Sequence, residues 1–250
     1  MPDARVVTAI SQLKALNDEF AQAMNGPIAS TGVVDNLVAR YGAYGYRQLE
    51  AVTVLAEVSD ALYLQISQMV RSLVEAWFYT AWLVAPASEI QRTQRAIGLV
   101  IKSLRAHRDK VVYQEGHWPN TDPDHLMMLD QREQEAQEQA EHNGHEFPPD
   151  LRQGMEGLGR ADRYILYRWD SDAVHVSTTG IGQLAKADGE FTLVGVPGEP
   201  AQQLSRLVAA WTTAADLYEI VLDHFGLVIP NWATKRDEAE ATLTHLLETE

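Results

Sequence analysis

The sequence predicts an all-α helical bundle built around one long central helix. Apolar residues recur at three- and four-residue steps through most of the 250-residue chain, the spacing that lines one face of an α-helix. The stretch from Arg47 to Val84 holds neither glycine nor proline, so nothing in it interrupts a helix. Only Gln183–Leu184 and Phe191–Val194, joined across Ala187-Asp188-Gly189, read as a short β-hairpin, near residues 183–194.

Taken in order, the first helix covers Asp3 to Met24, where Val6, Val7, Ile10, Leu13, Leu16, Phe20 and Met24 make one face and Asn25-Gly26-Pro27 stops it. Val33 to Arg40 reads as a short helix. Gly42 and Gly45 then weaken its continuation and read as a connector, with close helix packing as the alternative. The central helix follows from Arg47 to Val84, its face drawn by Leu55, Val58, Leu62, Ile66, Met69, Leu73 and Trp77. Val70, Val74, Phe78, Ala81 and Trp82 add apolar surface on its other sides, so its second half is expected to be enclosed nearly all round.

A third helix starts near Ser88 and runs towards Tyr113, ended by Gly116-His117-Trp118-Pro119-Asn120. Arg92, Arg95, Lys102, Arg105, Arg108 and Lys110 make it the most basic segment of the chain, read as a solvated face paired with acidic neighbours or as an anion-binding face. Asp122-Pro123 opens the next helix, rich in Glu and Gln to about Glu141 and expected to be mostly exposed. Phe147-Pro148-Pro149-Asp150 leads into a glycine-spotted turn (Gly154, Gly157, Gly159). A further helix spans Ala201 to Phe225, stopped by Gly226, and a polar amphipathic one spans Asn231 to Glu250. The reading is one domain, 1–250, with its core at about 47–225 and a peripheral C-terminal helix at 231–250.

Composition bounds the function. With 46% hydrophobic residues the chain can bury a core, and a net charge of -15 makes its average surface repel phosphate. Extended nucleic-acid binding is therefore not expected, although a short RNA could meet a local basic face. The absence of cysteine removes disulfides, thiolate metal sites and thiol nucleophiles. No basic-then-apolar leader opens the chain, and its most apolar run, Val70–Ala87, carries Arg71 and Glu75 and breaks at Pro86. A soluble cytoplasmic protein is expected, with no membrane, metal or cofactor.

The candidate site lies in two places. Arg71 and Glu75 sit one turn apart in an apolar helix, where each charge needs a partner. Downstream, Tyr164, Arg168, Ser171 and His175 follow at helical steps along one face, with Tyr167 beside them. The neighbouring stripe of Ile165, Trp169, Ala173 and Val176 reads as facing the core. Arg71, Glu75, Tyr167, Arg168, Ser171 and His175 are expected to meet in one polar cluster, either a network that registers two helices or a cleft that binds or cleaves. A small-molecule site among Trp77, Trp82 and Trp169 would show as a closed apolar pocket beside Arg71.

Arg71-Ser72-Leu73-Val74-Glu75 and Tyr167-Arg168 with Ser171 and His175-Val176-Ser177 resemble the motifs of a bacterial helical family, domain of unknown function 5677, over about Arg47 to Thr179. That resemblance implies an all-helical fold with no agreed activity. By analogy it suggests a binding or regulatory role in stress or phage defence, with a protein or small-molecule partner. The spacing of Arg168 and His175 also resembles the Arg-x4-6-His signature of the HEPN ribonuclease and toxin superfamily. That resemblance implies a homodimer and a metal-independent ribonuclease in which Arg168 stabilises charge on phosphorus and His175 moves a proton.

Overall fold

The computed structural model describes residues 3–26, 32–58, 63–117, 123–174 and 200–248. Among them nine helices follow in order: α1 (Ala4–Met24), α2 (Val33–Val58), α3 (Tyr63–Val84), α4 (Glu89–His117), α5 (Pro123–Asn143), α6 (Leu151–Gly157), α7 (Ala161–Val174), α8 (Pro200–Phe225) and α9 (Trp232–Glu248). The described residues contain no strand, and the hairpin expected near 183–194 lies outside them. No helix among them is long and apolar enough to cross a membrane.

The helix expected to run unbroken from Arg47 to Val84 is two helices. α2 ends at Val58, α3 begins at Tyr63, and they pack along each other in opposite directions, Tyr41 against Tyr79 and Gly45 near Leu73. Neither glycine nor proline stands between the two helices in the sequence. What the reversal gains is tertiary. Ile66, Val70, Leu73, Val74, Trp77, Phe78 and Leu83 of α3 are all buried, and α3 packs against α2, α4, α6, α7 and α8. The enclosure expected of its second half is present.

Gly42 and Gly45 do not form a connector, because α2 runs straight through both. A Cβ at Gly45 would lie 2.3 Å from Leu217 Cδ2, and one at Gly42 3.2 Å from both methyls of Val221. The missing side chains let α8 press onto α2, a gain that offsets the usual cost of glycine inside a helix. α1 lies over the same junction with Val6, Ile10, Leu13, Leu16 and Phe20 buried, and Phe20 stacks on Tyr218 of α8 at 3.8 Å. The buried Tyr218 hydroxyl donates to Asn17 Oδ1 at 2.6 Å. Burial pushes this phenol well above its ordinary pKa.

α4 and α5 form an antiparallel hairpin with a small core of its own, Ile97, Ile101, Ala136 and Ala140. The basic residues of α4 are met by acids of α5: Arg105 by Glu133 at 3.0 Å and Arg108 by Asp130 at 2.6 Å. The glycine-spotted stretch after Pro149 contains the helix α6, capped by Asp150, whose carboxylate accepts from Gln153 N at 3.0 Å. α8 ends at Gly226, which takes a left-handed φ of 62° and lets Leu227 N reach back to Leu222 O at 2.9 Å. α9 packs on α8 and α1, burying only Ala239 and Leu243.

A Gly45→Ala substitution is expected to destabilise the fold by about 1–3 kcal/mol through overpacking. Gly157→Ala, with nothing within 4 Å of the added methyl, should leave the urea midpoint within experimental error.

Candidate functional site

α7 runs antiparallel across α3, and this brings part of the anticipated cluster together. Arg71 Nη2 donates to Tyr167 Oη at 2.9 Å, its guanidinium lies 4.9 Å from the Tyr167 ring centroid, and its Nε is 3.4 Å from Glu75 Oε1. The pair is not enclosed: the Arg71 and Glu75 side chains are 25% and 36% exposed. Arg168 is exposed. Ser171 continues α7 one turn beyond Tyr167, but its side chain, like all of His175, lies outside the described residues.

Of the stripe expected to face the core, Ile165 is the one residue whose side chain is described, and it does not face inward. Ile165 is 52% exposed, whereas Arg163 is only 4% exposed. The reason is a carboxylate on α8. Asp216 Oδ2 accepts from Arg160 Nη1 at 2.7 Å and from Arg163 Nη2 at 2.6 Å, and its Oδ1 accepts from Arg236 Nη2 of α9 at 2.6 Å. Thr212 and Thr213 hydroxyls accept from Arg163 Nη1 at 3.1 and 2.9 Å, and Arg236 also bonds Glu219. Arg160 lies over the Trp77 ring at 5.4 Å. Burial pulls the Arg163 pKa below its ordinary value despite the attraction of Asp216. With Asp162 and Glu219, three guanidiniums meet three carboxylates, so this is a charge-matched structural junction in which only the buried Arg163 Nε lacks a hydrogen-bond acceptor among the described residues, Asp162 Oδ2 lying 3.8 Å away. Its one sequence signal is Asp216 itself, a carboxylate in the apolar run Ala214-Ala215-Asp216-Leu217-Tyr218.

A cleft of about 640 Å³, with room for a ligand, lies between α2, α3, α4 and α5. Leu37, Ala76, Leu99, Val100, Leu104 and Ala136 line its apolar part, and Tyr41, Tyr44 and Tyr79 add three phenols. Glu75 also lines it, so the Arg71–Glu75 pair stands at its edge. Tyr41 and Tyr79 stack at 6.0 Å, and burial, followed by the Tyr79 phenol, pushes Tyr41 up to about 12. Lys102 Nζ donates to Tyr79 Oη at 3.4 Å and sits 5.4 Å from its ring centroid. Arg40 and Arg132 line the same cleft. The tryptophan pocket considered from sequence is not this cleft: Trp77 and Trp82 are buried core residues covered by Arg160 and Arg95, and the Trp169 side chain is outside the described residues. No group of three or more candidate metal ligands gathers among the described residues.

A smaller pocket, about 300 Å³ between α1, α8 and α9, has its cations already engaged, Lys235 by Glu19 at 2.6 Å and Arg236 by Asp216 and Glu219. Set beside known proteins, the chain matches no protein-family model, no curated protein and no solved structure.

Asp216→Ala is expected to cost about 3–5 kcal/mol, because it strands buried guanidiniums, while Gly157→Ala, outside the junction, serves as the neutral control; chemical denaturation reads both. Tyr41 supplies a pH test. Its folded pKa is raised from 10.0 to about 12, so between those values the unfolded chain gives up a proton that the folded one keeps, and stability falls as pH rises. Denaturation at pH 9, 10.5 and 11.5 should show that fall, smaller in Tyr41→Phe.

Proposed function

We propose that this all-helical protein is a small-molecule binding protein with a regulatory role in the cytoplasm, and that its ligand is an organic anion with an apolar or aromatic body. The observation that carries the reading is the composition of the α2–α5 cleft. Its volume of about 640 Å³ falls in the range of ligand pockets, about 300–1,000 Å³. Its wall combines apolar residues and three phenols, which suit a flat or greasy body, with polar groups that include the carboxylates of Glu75 and Glu135. Arg40 and Arg132, both exposed, lie in a protein of net charge -15 yet form no ion pair among the described residues. Guanidiniums left unpaired beside an apolar wall favour a carboxylate, sulfonate or phosphate. The lining holds no histidine, which favours binding over proton-transfer chemistry.

The resemblance to domain of unknown function 5677 is compatible with this reading and assigns no activity. In it, Arg71 and Tyr167 hold Glu75 at the cleft edge as positioning groups, with Ser171 further along α7. The second reading, a metal-independent ribonuclease using Arg168 and His175 as a homodimer in stress or phage defence, is favoured by the exposure of Arg168. Against it, Arg105 and Arg108 of the most basic helix are already engaged by Glu133 and Asp130.

Anilinonaphthalene sulfonate, an aromatic organic anion, is a suitable probe. Fluorescence titration should give one saturable site on the folded protein, weakened by about tenfold in each of Arg40→Gln and Arg132→Gln, the worth of one charged hydrogen bond. Dye binding unchanged in both variants would overturn the cleft assignment. RNA cleavage lost in a folded His175→Ala variant would establish the ribonuclease instead.

A further inference from the structure

We infer that His107 and His125 form a transition-metal site that staples the α4–α5 hairpin, taking Zn2+ or a neighbouring divalent ion such as Ni2+ or Cu2+. The two imidazoles come from different helices, 18 residues apart, and their Nε2 atoms face each other at 3.1 Å. The rings meet edge-on at 73° with centroids 5.4 Å apart. Two nitrogens bound to one tetrahedral zinc, each at about 2.0–2.1 Å, stand about 3.3 Å apart. The observed separation, which without an ion is a hydrogen bond from one ring to the other, is close to what a shared ion requires; the ion displaces that proton to solvent, and a small pivot of each ring turns both lone pairs towards it. Neutral imidazole is a suitable donor for zinc, nickel and copper.

The surroundings admit a cation, although Arg105, Arg108 and Lys110 lie close to His107 in the sequence. His107 is exposed and His125 half-buried, so an ion has an entry path, and water can complete its coordination. Asp109 and Asp124 flank the pair in sequence. Arg108, the nearest cation in sequence, is tied to Asp130 at 2.6 Å. The backbone is already placed: α4 and α5 pack on each other, with Val111 and Leu129 of the two helices buried, so binding orders little beyond the two rings. With two protein ligands the site is open, and its affinity is modest.

A staple here acts on a specific element. α5 packs chiefly on α4, so a bond across the hairpin stiffens the helix that supplies Arg132 and Ala136 to the cleft. That consequence rests on the cleft reading; the metal site does not.

Titration calorimetry of ZnCl2 and NiCl2 into the full chain, in a non-chelating buffer, tests the site. One equivalent should bind. His107→Ala and His125→Ala should each weaken binding by at least about tenfold, while His142→Ala/His145→Ala leaves it unchanged. Zinc should also slow amide hydrogen exchange in 105–113 and 125–131, reversed by EDTA. Both histidines are on the surface, and far-UV circular dichroism verifies that the variants remain folded. No binding, or undiminished binding in the His107→Ala/His125→Ala double variant, overturns the proposal. Loss of dye binding with zinc binding intact sinks only the cleft.

Discussion

The Asp216 carboxylate is the constraint around which the second half of the chain is arranged. A charge buried on the inward face of α8 is tolerable only if its partners are brought to it. Those partners arrive from two directions, Arg160 and Arg163 at the start of α7 and Arg236 on α9. Their demands explain features that apolar burial alone would not produce. α7 turns an arginine inward and an isoleucine outward, and α9, with only two buried apolar residues, is nevertheless fixed to α8. A hydrophobic replacement of similar volume could match such a junction in free energy. It could not match its directionality, since each oxygen accepts from stated donors and a slipped helix leaves them unpaired.

The first half is organised by the opposite device, removal of side chains. Gly42 and Gly45 allow α8 to lie directly on α2, and the space left over is taken by flat groups, Phe20 stacked on Tyr218. The two halves thus share α8: its Leu217 and Val221 meet the glycines, while Asp216, next in sequence to Leu217, takes the arginines. One helix carries a close-packed face and a charged face a third of a turn apart. The polar contacts on the packed side are few and complete, the Tyr218 hydroxyl on Asn17 and His224 Nε2 within 2.9 Å of Asp35 Oδ1.

What was legible in the sequence is what local chemistry decides. The ends of α1, α5 and α8 follow from Asn25-Gly26, Asp122-Pro123 and Gly226, and the enclosure of α3 follows from apolar residues on all its sides. What was not legible depends on a neighbour distant in sequence. The reversal between Val58 and Tyr63 carries no glycine or proline, and the purpose of Gly45 is written at Leu217 rather than near Gly45. Arg163 looks like any surface arginine until Asp216, 53 residues later, is placed beside it. The candidate site divides in the same way. Arg71, Glu75 and Tyr167 were findable because an apolar helix makes a lone charge conspicuous. The cleft was not, since its wall is shared by four helices and its arginines stand in unremarkable polar surroundings.

The separation of these two charged systems bears on function. At the α7–α8–α9 junction each guanidinium faces a carboxylate, and charges paired in this way have little left to offer a ligand. At the α2–α5 cleft the balance is different: the wall combines apolar residues and three phenols, and Arg40 and Arg132 line it with no carboxylate paired to them among the described residues. In a chain with fifteen more acids than bases, partners for two such cations would be easy to supply from a neighbouring turn, as they are for Arg105 and Arg108 one hairpin face away. On the binding reading proposed above, this asymmetry matters: Glu75 and Glu135 line the cleft without pairing to Arg40 or Arg132, so an anion arriving there would displace water rather than an existing ion pair.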